Sequence, residues 1–489
     1  MRILCLGNNT SDTDQRTREL ADGVCYGLLS ELDGVLPNIL DGWYHSSLYD
    51  IEYGRLVELA TEFDSVIMLD QPKNQYSHPD TFYRTVRLVQ SLPNGSFLDN
   101  SFLKEIGFFK DLVVTNKSFC IYPFIELLVD KDRTSICCRS PSTIKPLDQL
   151  KDFQTDPTYQ EIRSKMIRGE KIPEHCLPCY QTEKLGMISA RQQDTIEWAN
   201  RLNIKTVEEL ANIKNPAYYE IRPSNICNLQ CRMCYPGNSH LIGKEYKRLN
   251  LISEIVEREF SDFSFIKFEN LNKLYVAGGE PTAMPEFYDF VDKCIANNKT
   301  DFEFVINTNA TKINNRFRDQ LSNFSNMQFI VSLDGIGLVN HYIRWPSDWE
   351  TVIENIRWLA HHHVVSFNIT VSIYNINSLY LLLEFFDTEF PGKLVHCQMA
   401  VSNNDMLSAL NFPGLTSDRL IPIKNLRCYK NDPLLASTID GIISYYEKSP
   451  KVDMDKLMAF FEFNDRLDQS RSVQLIDYIP ELEQARKLL

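Results

Sequence analysis

The stretch Tyr218–His240, which reads YYEIRPSNICNLQCRMCYPGNSH, decides the fold. A strand-like run ends near Arg222, and the loop after it carries Cys227, Cys231 and Cys234. From composition alone, this three-cysteine spacing is roughly a one per cent event. Three thiolates suit three irons of a four-iron cluster and leave the fourth iron open to a bound ligand.

Two other interpretations of the three cysteines remain open. They could belong to a zinc site that His240 completes with a fourth ligand. They could also lie on one face of a helix and bind nothing. The spacing alone does not exclude either one.

Strand-like runs recur after the cysteine loop and are rich in Val, Ile, Phe and Tyr, as buried strands favour. These runs are Lys273–Ala277, Phe302–Asn307, Gln328–Leu333, Ser366–Ser372 and Leu394–Met399. Helical segments such as Glu286–Ala296, Trp349–His362 and Ser378–Phe386 separate them. This alternation predicts an α/β fold with parallel strands and right-handed crossovers. Because six units fall short of a complete barrel, we expect a partial, open (β/α)6 TIM-like barrel.

The remaining chain divides into further regions by pattern. Its first part has two apolar runs, Arg2–Leu6 and Asp64–Leu69, with helical stretches between and after them, and predicts a small α/β domain of unknown role. A cysteine-rich module follows it, and a helical region follows the barrel. The predicted domains are residues 1–115, 116–200, 215–400 and 401–489.

Composition narrows the class of protein. The chain has 489 residues and a net charge of −14, without a long run of Lys or Arg, which argues against nucleic-acid binding as the main role. No signal peptide and no apolar stretch of about 18 residues is seen, so we expect a cytoplasmic protein without a membrane partner. Thirteen cysteines in a reducing compartment would not form stable disulfides, and eight of them cluster as metal ligands do.

The Cys-x3-Cys-x2-Cys loop after the first barrel strand resembles the radical S-adenosylmethionine (radical SAM) superfamily. The resemblance implies that Cys227, Cys231 and Cys234 hold a 4Fe–4S cluster whose open iron is chelated by the amino and carboxylate groups of S-adenosylmethionine. One electron from the cluster then splits the sulfonium to a 5′-deoxyadenosyl radical, which abstracts hydrogen from a peptide or small polar substrate. The resemblance also implies an electron donor such as flavodoxin or ferredoxin.

Further candidate residues follow later strands, where barrel active sites lie. In the superfamily a Gly-Gly-Glu segment accepts hydrogen bonds from the methionine ammonium, later polar residues contact the nucleoside, and an arginine pairs with the methionine carboxylate. An ordinary tight turn or a solvent-facing arginine would also explain parts of this pattern. The residues that the resemblance implies as cofactor-binding are Gly278, Gly279, Glu280, Asn309, Ser332, Asp334, Arg344 and Thr370.

A first group of cysteines precedes the barrel: Cys120, Cys137, Cys138, Cys176 and Cys179. Their spacing suits a four-thiolate site for zinc or an iron–sulfur cluster. The pattern is similar to the twitch and SPASM modules, although those usually follow the barrel. That similarity implies an auxiliary 4Fe–4S cluster that relays electrons, with Cys137 and Cys138 as two candidates for one position. The alternative for the whole chain is a non-catalytic zinc or iron–sulfur binding or scaffold protein.

Overall fold

The computed structural model describes residues 3–6, 65–69, 95–98, 109, 112–184, 189–255, 263–400, 405–448 and 452–489. The chain forms two compact units, Met1–Leu112 with Ala199–Lys205 and Val113–Trp198 with Thr206–Leu489. The first unit contains a parallel sheet in the order β1-β2-β3. Its strands are β1 (Ile3–Leu6), β2 (Ser65–Leu69) and β3 (Gly95–Leu98). The first two coincide with the apolar runs, and the helical stretches predicted near them lie outside the described residues.

A second sheet forms the centre of the second unit. Its strands are β4 (Glu126–Asp130), β5 (Arg133–Ser135), β6 (Tyr218–Arg222), β7 (Lys273–Val276), β8 (Glu303–Thr308), β9 (Met327–Ser332), β10 (Val364–Val371) and β11 (Val395–Met399). Their order is β11-β10-β9-β8-β7-β6-β4-β5. Neighbours are parallel except for β4 and β5, which are antiparallel.

Helices cover the sheet and follow it toward the C-terminus. Those of the described residues are α1 (Tyr122–Ile125), α2 (Pro157–Ile167), α3 (Pro173–Lys184), α4 (Ala190–Arg201), α5 (Val207–Leu210), α6 (His240–Arg248), α7 (Pro285–Ala296), α8 (Asn315–Leu321), α9 (Gly337–Ile343), α10 (Trp349–His362), α11 (Leu379–Glu389), α12 (Arg427–Asn431), α13 (Pro433–Glu447), α14 (Met454–Arg471), α15 (Leu475–Tyr478) and α16 (Leu482–Arg486). Among them, none is both long and apolar enough to cross a bilayer.

Strands β6 to β11 lie side by side in chain order with helices between them, which confirms the predicted partial (β/α)6 barrel. Local sequence signals set the helix ends. The side chains of Ser239, Asn314 and Asp348 accept hydrogen bonds from first-turn amides of α6, α8 and α10. These contacts satisfy amides that have no partner inside the helix.

The cysteine-rich module extends this barrel sheet by two strands, which the sequence analysis does not predict. Strand β4 pairs in parallel with β6, with Glu126 opposite Tyr218 and Asp130 opposite Arg222. Its apolar centre is buried, and it covers the edge that β6 would otherwise expose. The module therefore shares one sheet with the barrel.

The two faces of the sheet differ in polarity. Burial alternates along β9 and β10. One face is apolar and packs on the helices, as in the stacking of Phe367 on Phe386 of α11 with ring centroids 4.1 Å apart. The other face carries polar residues in register, such as Ser332 opposite Asn368. A parallel sheet covered on both faces by apolar helices would not alternate in this way, so the second face forms a polar barrel interior.

Candidate active site

The three cysteines predicted as cluster ligands lie on the loop between β6 and α6. Cys231 is buried, and Cys227 and Cys234 are half-buried. Burial, and then the neighbouring Cys231 thiol, raises the pKa of Cys227 and raises that of Cys234 to about 12. The thiols are therefore close enough to interact, and they hold their protons until a metal displaces them.

Backbone hydrogen bonds fix this loop against the end of α9. The amide of Gln230 donates to the carbonyl of Trp345 over 2.6 Å, and the amide of Arg232 donates to that of Ile343 over 2.8 Å. The Cys227 amide donates to Nδ1 of His240 over 3.2 Å. In the alternative zinc interpretation His240 would be the fourth ligand, and this ring nitrogen is instead occupied by a hydrogen bond to the loop.

The Gly-Gly turn after β7 packs directly on the cysteine loop. Gly278 and Gly279 have positive φ angles of 80° and 57°. A Cβ on Gly279 would lie 2.1 Å from the carbonyl oxygen of Ile226, the residue before the first cysteine, and the Glu280 amide donates to that oxygen over 2.8 Å. Only glycine permits this close approach with this backbone conformation.

The carboxylate of Glu280 is buried and ties the end of β7 to the end of β8. It accepts hydrogen bonds from the Thr308 hydroxyl over 2.8 Å and from the Asn309 amide over 2.6 Å. Burial raises its pKa, and these donors act in the opposite direction. The Asn309 side chain in turn donates to Asn228 of the cysteine loop over 3.1 Å. Sequence reasoning missed Asn228, although its position directly after Cys227 was a usable signal.

Asp334 and Arg344, each predicted to contact a ligand, are partners of one another. Their side chains form an ion pair 2.6 Å long; the Asp334 side chain is fully buried and that of Arg344 is 12% exposed. The backbone amide of Thr370 donates to Asp334 over 2.7 Å. Burial raises the pKa of Asp334, and Arg344 opposes that rise. Nε of Arg344 has no hydrogen-bond partner among the described residues, and its guanidinium lowers the pKa of the Cys231 thiol against the larger effect of burial.

Ser332 has a different neighbour from those two residues. Its hydroxyl donates to the side chain of Asn307 at the end of β8, over 3.1 Å. Asn307 donates in turn to the hydroxyl of Tyr275 over 3.3 Å. Ser332 therefore belongs to the polar barrel interior, where it links the end of β9 to the neighbouring strand β8.

Residues 221–385 match the model of the Radical SAM superfamily. This part of the chain is therefore a radical SAM domain. An uncharacterized protein of Methanocaldococcus jannaschii is 24% identical over 256 residues, which cover 45% of this chain and 85% of that protein. The family-model match begins just before the cysteine loop and ends within α11.

Solved structures with some similarity include SuiB of Streptococcus suis bound to its precursor peptide SuiA, at 13% identity and a TM-score of 0.31. That match covers 66% of this chain and 65% of the SuiB chain. SuiB bound to S-adenosylmethionine matches at 14% identity and a TM-score of 0.30, covering 55% of this chain and 59% of the other. The chain thus spans less than two thirds of the length of these structures.

Before the radical SAM domain, four of the five clustered cysteines line one small cavity: Cys120, Cys137, Cys176 and Cys179. Cys138 is exposed and does not line it. Burial raises the pKa of Cys120, and the thiols of Cys176 and Cys179 add to that rise. The cavity therefore brings together a four-thiolate set of the kind that the sequence spacing indicates.

Charged residues of the polar barrel interior connect the two cysteine regions. Arg222 donates to Glu220 over 2.5 Å, and its Cβ lies 2.8 Å from where a Cβ on Gly278 would be. Burial, and then the Glu220 charge, raises the pKa of Glu126. Oε2 of Glu126 has no hydrogen-bond partner among the described residues. The charges of Glu220 and Glu126 both act to raise the pKa of the Cys138 thiol, so this acidic pair also lies near the first cysteine group.

Across the described ranges, no three His, Cys, Asp or Glu side chains converge on a point that a single metal ion would occupy. In a four-iron cluster each thiolate binds a different iron, so the thiols of a cluster site need not converge on one point. Every cysteine whose side chain is described is a free thiol.

Proposed function

We propose that this chain is an enzyme that reductively cleaves S-adenosylmethionine at a 4Fe–4S cluster held by Cys227, Cys231 and Cys234. When bound, the cluster and S-adenosylmethionine supply a 5′-deoxyadenosyl radical that abstracts a hydrogen atom from the substrate. The observation that carries the proposal is the packing of the Gly278–Gly279 turn on the carbonyl of Ile226. This contact joins two motifs through residues that are 53 positions apart in sequence, at one end of a barrel, where such active sites lie.

The protein's own residues have separate tasks in this proposal. The three thiols lose their protons and bind three irons. Arg344 is the residue proposed to bind the methionine carboxylate, because it is largely buried beside the cysteine loop and its Nε has no partner in the described part of the chain. A buried donor without an acceptor costs about 1–3 kcal/mol, which a bound carboxylate would relieve. Asp334 orients the guanidinium through the ion pair.

In this proposal the Gly-Gly turn and Glu280 position the backbone around the bound S-adenosylmethionine. Glu280 already accepts several protein hydrogen bonds, so its proposed task is to hold the ends of β7 and β8 together. The backbone of Gly278 and Gly279 is then the part of the segment left to approach the methionine ammonium. Asn309, Ser332 and Thr370 remain proposed contacts for the nucleoside.

For the first cysteine group we propose an auxiliary 4Fe–4S cluster bound by Cys120, Cys137, Cys176 and Cys179. The shared cavity supports this ligand set and favours Cys137 over Cys138 for the contested position. With four thiolates such a cluster has no open iron, so we propose electron transfer as its task. Zinc in the same four-thiolate site is the alternative that metal analysis separates.

The proposed substrate is a peptide or a small polar molecule that enters the polar barrel interior. Glu126, Glu220 and Arg222 line this region between the two cysteine groups, and they favour a polar partner over an apolar one. A flavodoxin or ferredoxin is the proposed electron donor, and the cytoplasm is the proposed location. A reducing compartment keeps the thiols of both groups available for iron.

Anaerobic reconstitution with iron and sulfide tests the central activity. Reduced with dithionite, the protein is expected to convert S-adenosylmethionine to 5′-deoxyadenosine and methionine in equal amounts. Cys231→Ala should abolish both products. Cys294→Ala is the matched control, because this lone cysteine is buried on α7, outside both cysteine groups.

Three outcomes would separate the proposed enzyme from a scaffold protein. Iron in both sites with product formation supports the proposal as a whole. An intact triad cluster that yields no 5′-deoxyadenosine contradicts it. Stoichiometric zinc in place of iron supports the scaffold alternative.

A further inference from the structure

Helix α14, the third helix from the C-terminal end of the sequence, holds the cysteine loop in place. Asn464, Asp468 and Arg471 recur at helical spacing, so they lie on one face of α14, and all three are buried. Each of them contacts the loop or a residue packed beside it, more than 220 positions away in sequence. A helix face this polar is buried only when its groups find partners.

Asn464 and Asp468 hold Arg232, which directly follows the second cysteine. The guanidinium of Arg232 is fully buried and donates to Asn464 over 2.9 Å and to Asp468 over 2.5 Å. It also lies 3.5 Å from the ring centroid of Tyr342, whose hydroxyl donates to Asp468 over 2.9 Å. Because Arg232 is satisfied within the protein, its role here is to fasten the loop.

Arg471 differs from Arg232 because one of its nitrogens has no partner. Its Nε and Nη2 donate to the buried carboxylate of Glu245 over 3.1 and 2.6 Å, and Nη2 also donates to the Gln230 carbonyl over 2.9 Å. Nη1 is buried and has no hydrogen-bond partner among the described residues. Gln230 directly precedes Cys231, so the hydrogen bond to its carbonyl holds the Arg471 guanidinium beside the second cysteine.

We propose that Arg471 is a positioning residue that donates an N–H from Nη1 to sulfur at Cys231 when the cluster is bound. The proposal rests on the cluster of the proposed function. Ion pairing with Glu245 and the bond to Gln230 fix the plane of the guanidinium, and with it the directions of the two N–H bonds of Nη1. Hydrogen bonds to cluster sulfurs are among the factors that set reduction potential. Arg471 therefore makes the cluster easier to reduce.

The test is a redox titration of the reconstituted full chain, followed by electron paramagnetic resonance (EPR). The signal that changes on addition of S-adenosylmethionine identifies the triad cluster. We expect Arg471→Gln to lower the ratio of reduced to oxidised triad cluster about tenfold at a fixed potential, which is about 59 mV for a one-electron couple. Arg486→Gln is the matched control. Arg486 lies on α16 and forms an exposed ion pair with Asp465 of α14, the helix that carries Arg471.

A variant that fails to retain iron would leave no signal to titrate, so a second variant is included. Arg471→Lys keeps the charge beside Glu245 but loses the planar fork that aims a third donor. We expect it to shift the potential in the same direction and by less. A triad potential equal to the wild-type value in whichever variant retains the cluster would overturn the proposal, as would an equal shift in Arg486→Gln.

The failure of this inference is distinct from the failure of the proposed function. If the wild-type protein shows no signal that responds to S-adenosylmethionine, the proposed function fails first, and Arg471 has no cluster to position. If the wild-type signal responds but Arg471→Gln titrates like the wild type, only the assignment of Arg471 fails.

Discussion

Gly279→Ala tests the contact that joins the Gly-Gly turn to the cysteine loop. Gly279 has a φ of 57°, and an added Cβ would lie 2.1 Å from the Ile226 carbonyl oxygen, 2.9 Å from its carbon and 3.0 Å from Cε of Met284. The first two neighbours are backbone atoms, which cannot move aside as the end of a flexible side chain can. The loop that carries Cys227 must therefore shift by about 1 Å, twice the tolerance of about 0.5 Å within which functional sites are held.

The size of the effect follows from two separate costs. A left-handed backbone destabilises alanine by about 1–2 kcal/mol relative to an ordinary conformation. Overpacking adds about 1–3 kcal/mol. If about 1 kcal/mol of the second cost falls on the cluster-bound state, cluster affinity decreases about fivefold.

Gly337→Ala separates these two costs. Gly337 has a φ of 56°, nearly that of Gly279, but no atom lies within 4 Å of its added Cβ. The control therefore has the backbone strain without the clash. We expect Gly279→Ala to bind less iron in the triad, measured by iron analysis and EPR, and to unfold at a lower temperature than Gly337→Ala. Equal iron content and equal melting temperatures in the two variants would refute the reasoning.

Three further predictions concern the other parts of the site. Cys137→Ser should remove about four irons per chain from the reconstituted protein, and Cys138→Ser should remove none; the reverse result in iron analysis would reassign the ligand. Arg344→Gln should weaken binding of S-adenosylmethionine about tenfold without loss of iron, as measured by equilibrium dialysis, and an unchanged Kd would contradict its assigned contact. Burial raises the pKa of Glu126 above the ordinary pKa of a glutamate. As pH rises past that ordinary pKa, the unfolded chain loses the Glu126 proton before the folded protein does. The free energy of unfolding therefore decreases as pH rises above the ordinary pKa. Glu126→Gln should therefore raise the melting temperature at pH 7 and flatten its decline between about pH 5 and 8, and a steeper decline than in the wild type would contradict this.

The sequence was sufficient for the barrel because its signals are local. Runs such as Lys273–Ala277 carry strand periodicity within a few residues, and the spacing from Cys227 to Cys234 lies within one loop. Both kinds of pattern can be recognised without knowing which residues pack on them. The strand β7 (Lys273–Val276) and its neighbours therefore appear close to where the sequence predicts them.

Contacts between distant segments were not predictable in the same way. The pairing of β4 with β6 joins residues 92 positions apart, such as Glu126 and Tyr218, and nothing in either strand specifies its partner. The contact between Arg232 and Asp468 spans 236 positions. Each of these residues looks like an ordinary charged side chain until the fold brings the two together.

The ion pair between Asp334 and Arg344 was not predictable for another reason. The two residues are near in sequence, and the resemblance assigned each of them to a ligand. A motif indicates the chemistry of the Arg344 side chain, but it does not indicate whether the guanidinium contacts a protein carboxylate or a ligand. Only the geometry, an N–O distance of 2.6 Å in a buried setting, reveals that they meet each other.

The central claim is that the iron not bound by Cys227, Cys231 or Cys234 accepts S-adenosylmethionine. The most direct measurement is the EPR spectrum of the dithionite-reduced, reconstituted chain, recorded before and after S-adenosylmethionine is added. We predict that the signal of the triad cluster shifts while that of a four-thiolate cluster does not. A spectrum in which no signal changes, with the triad cluster intact, would contradict the account.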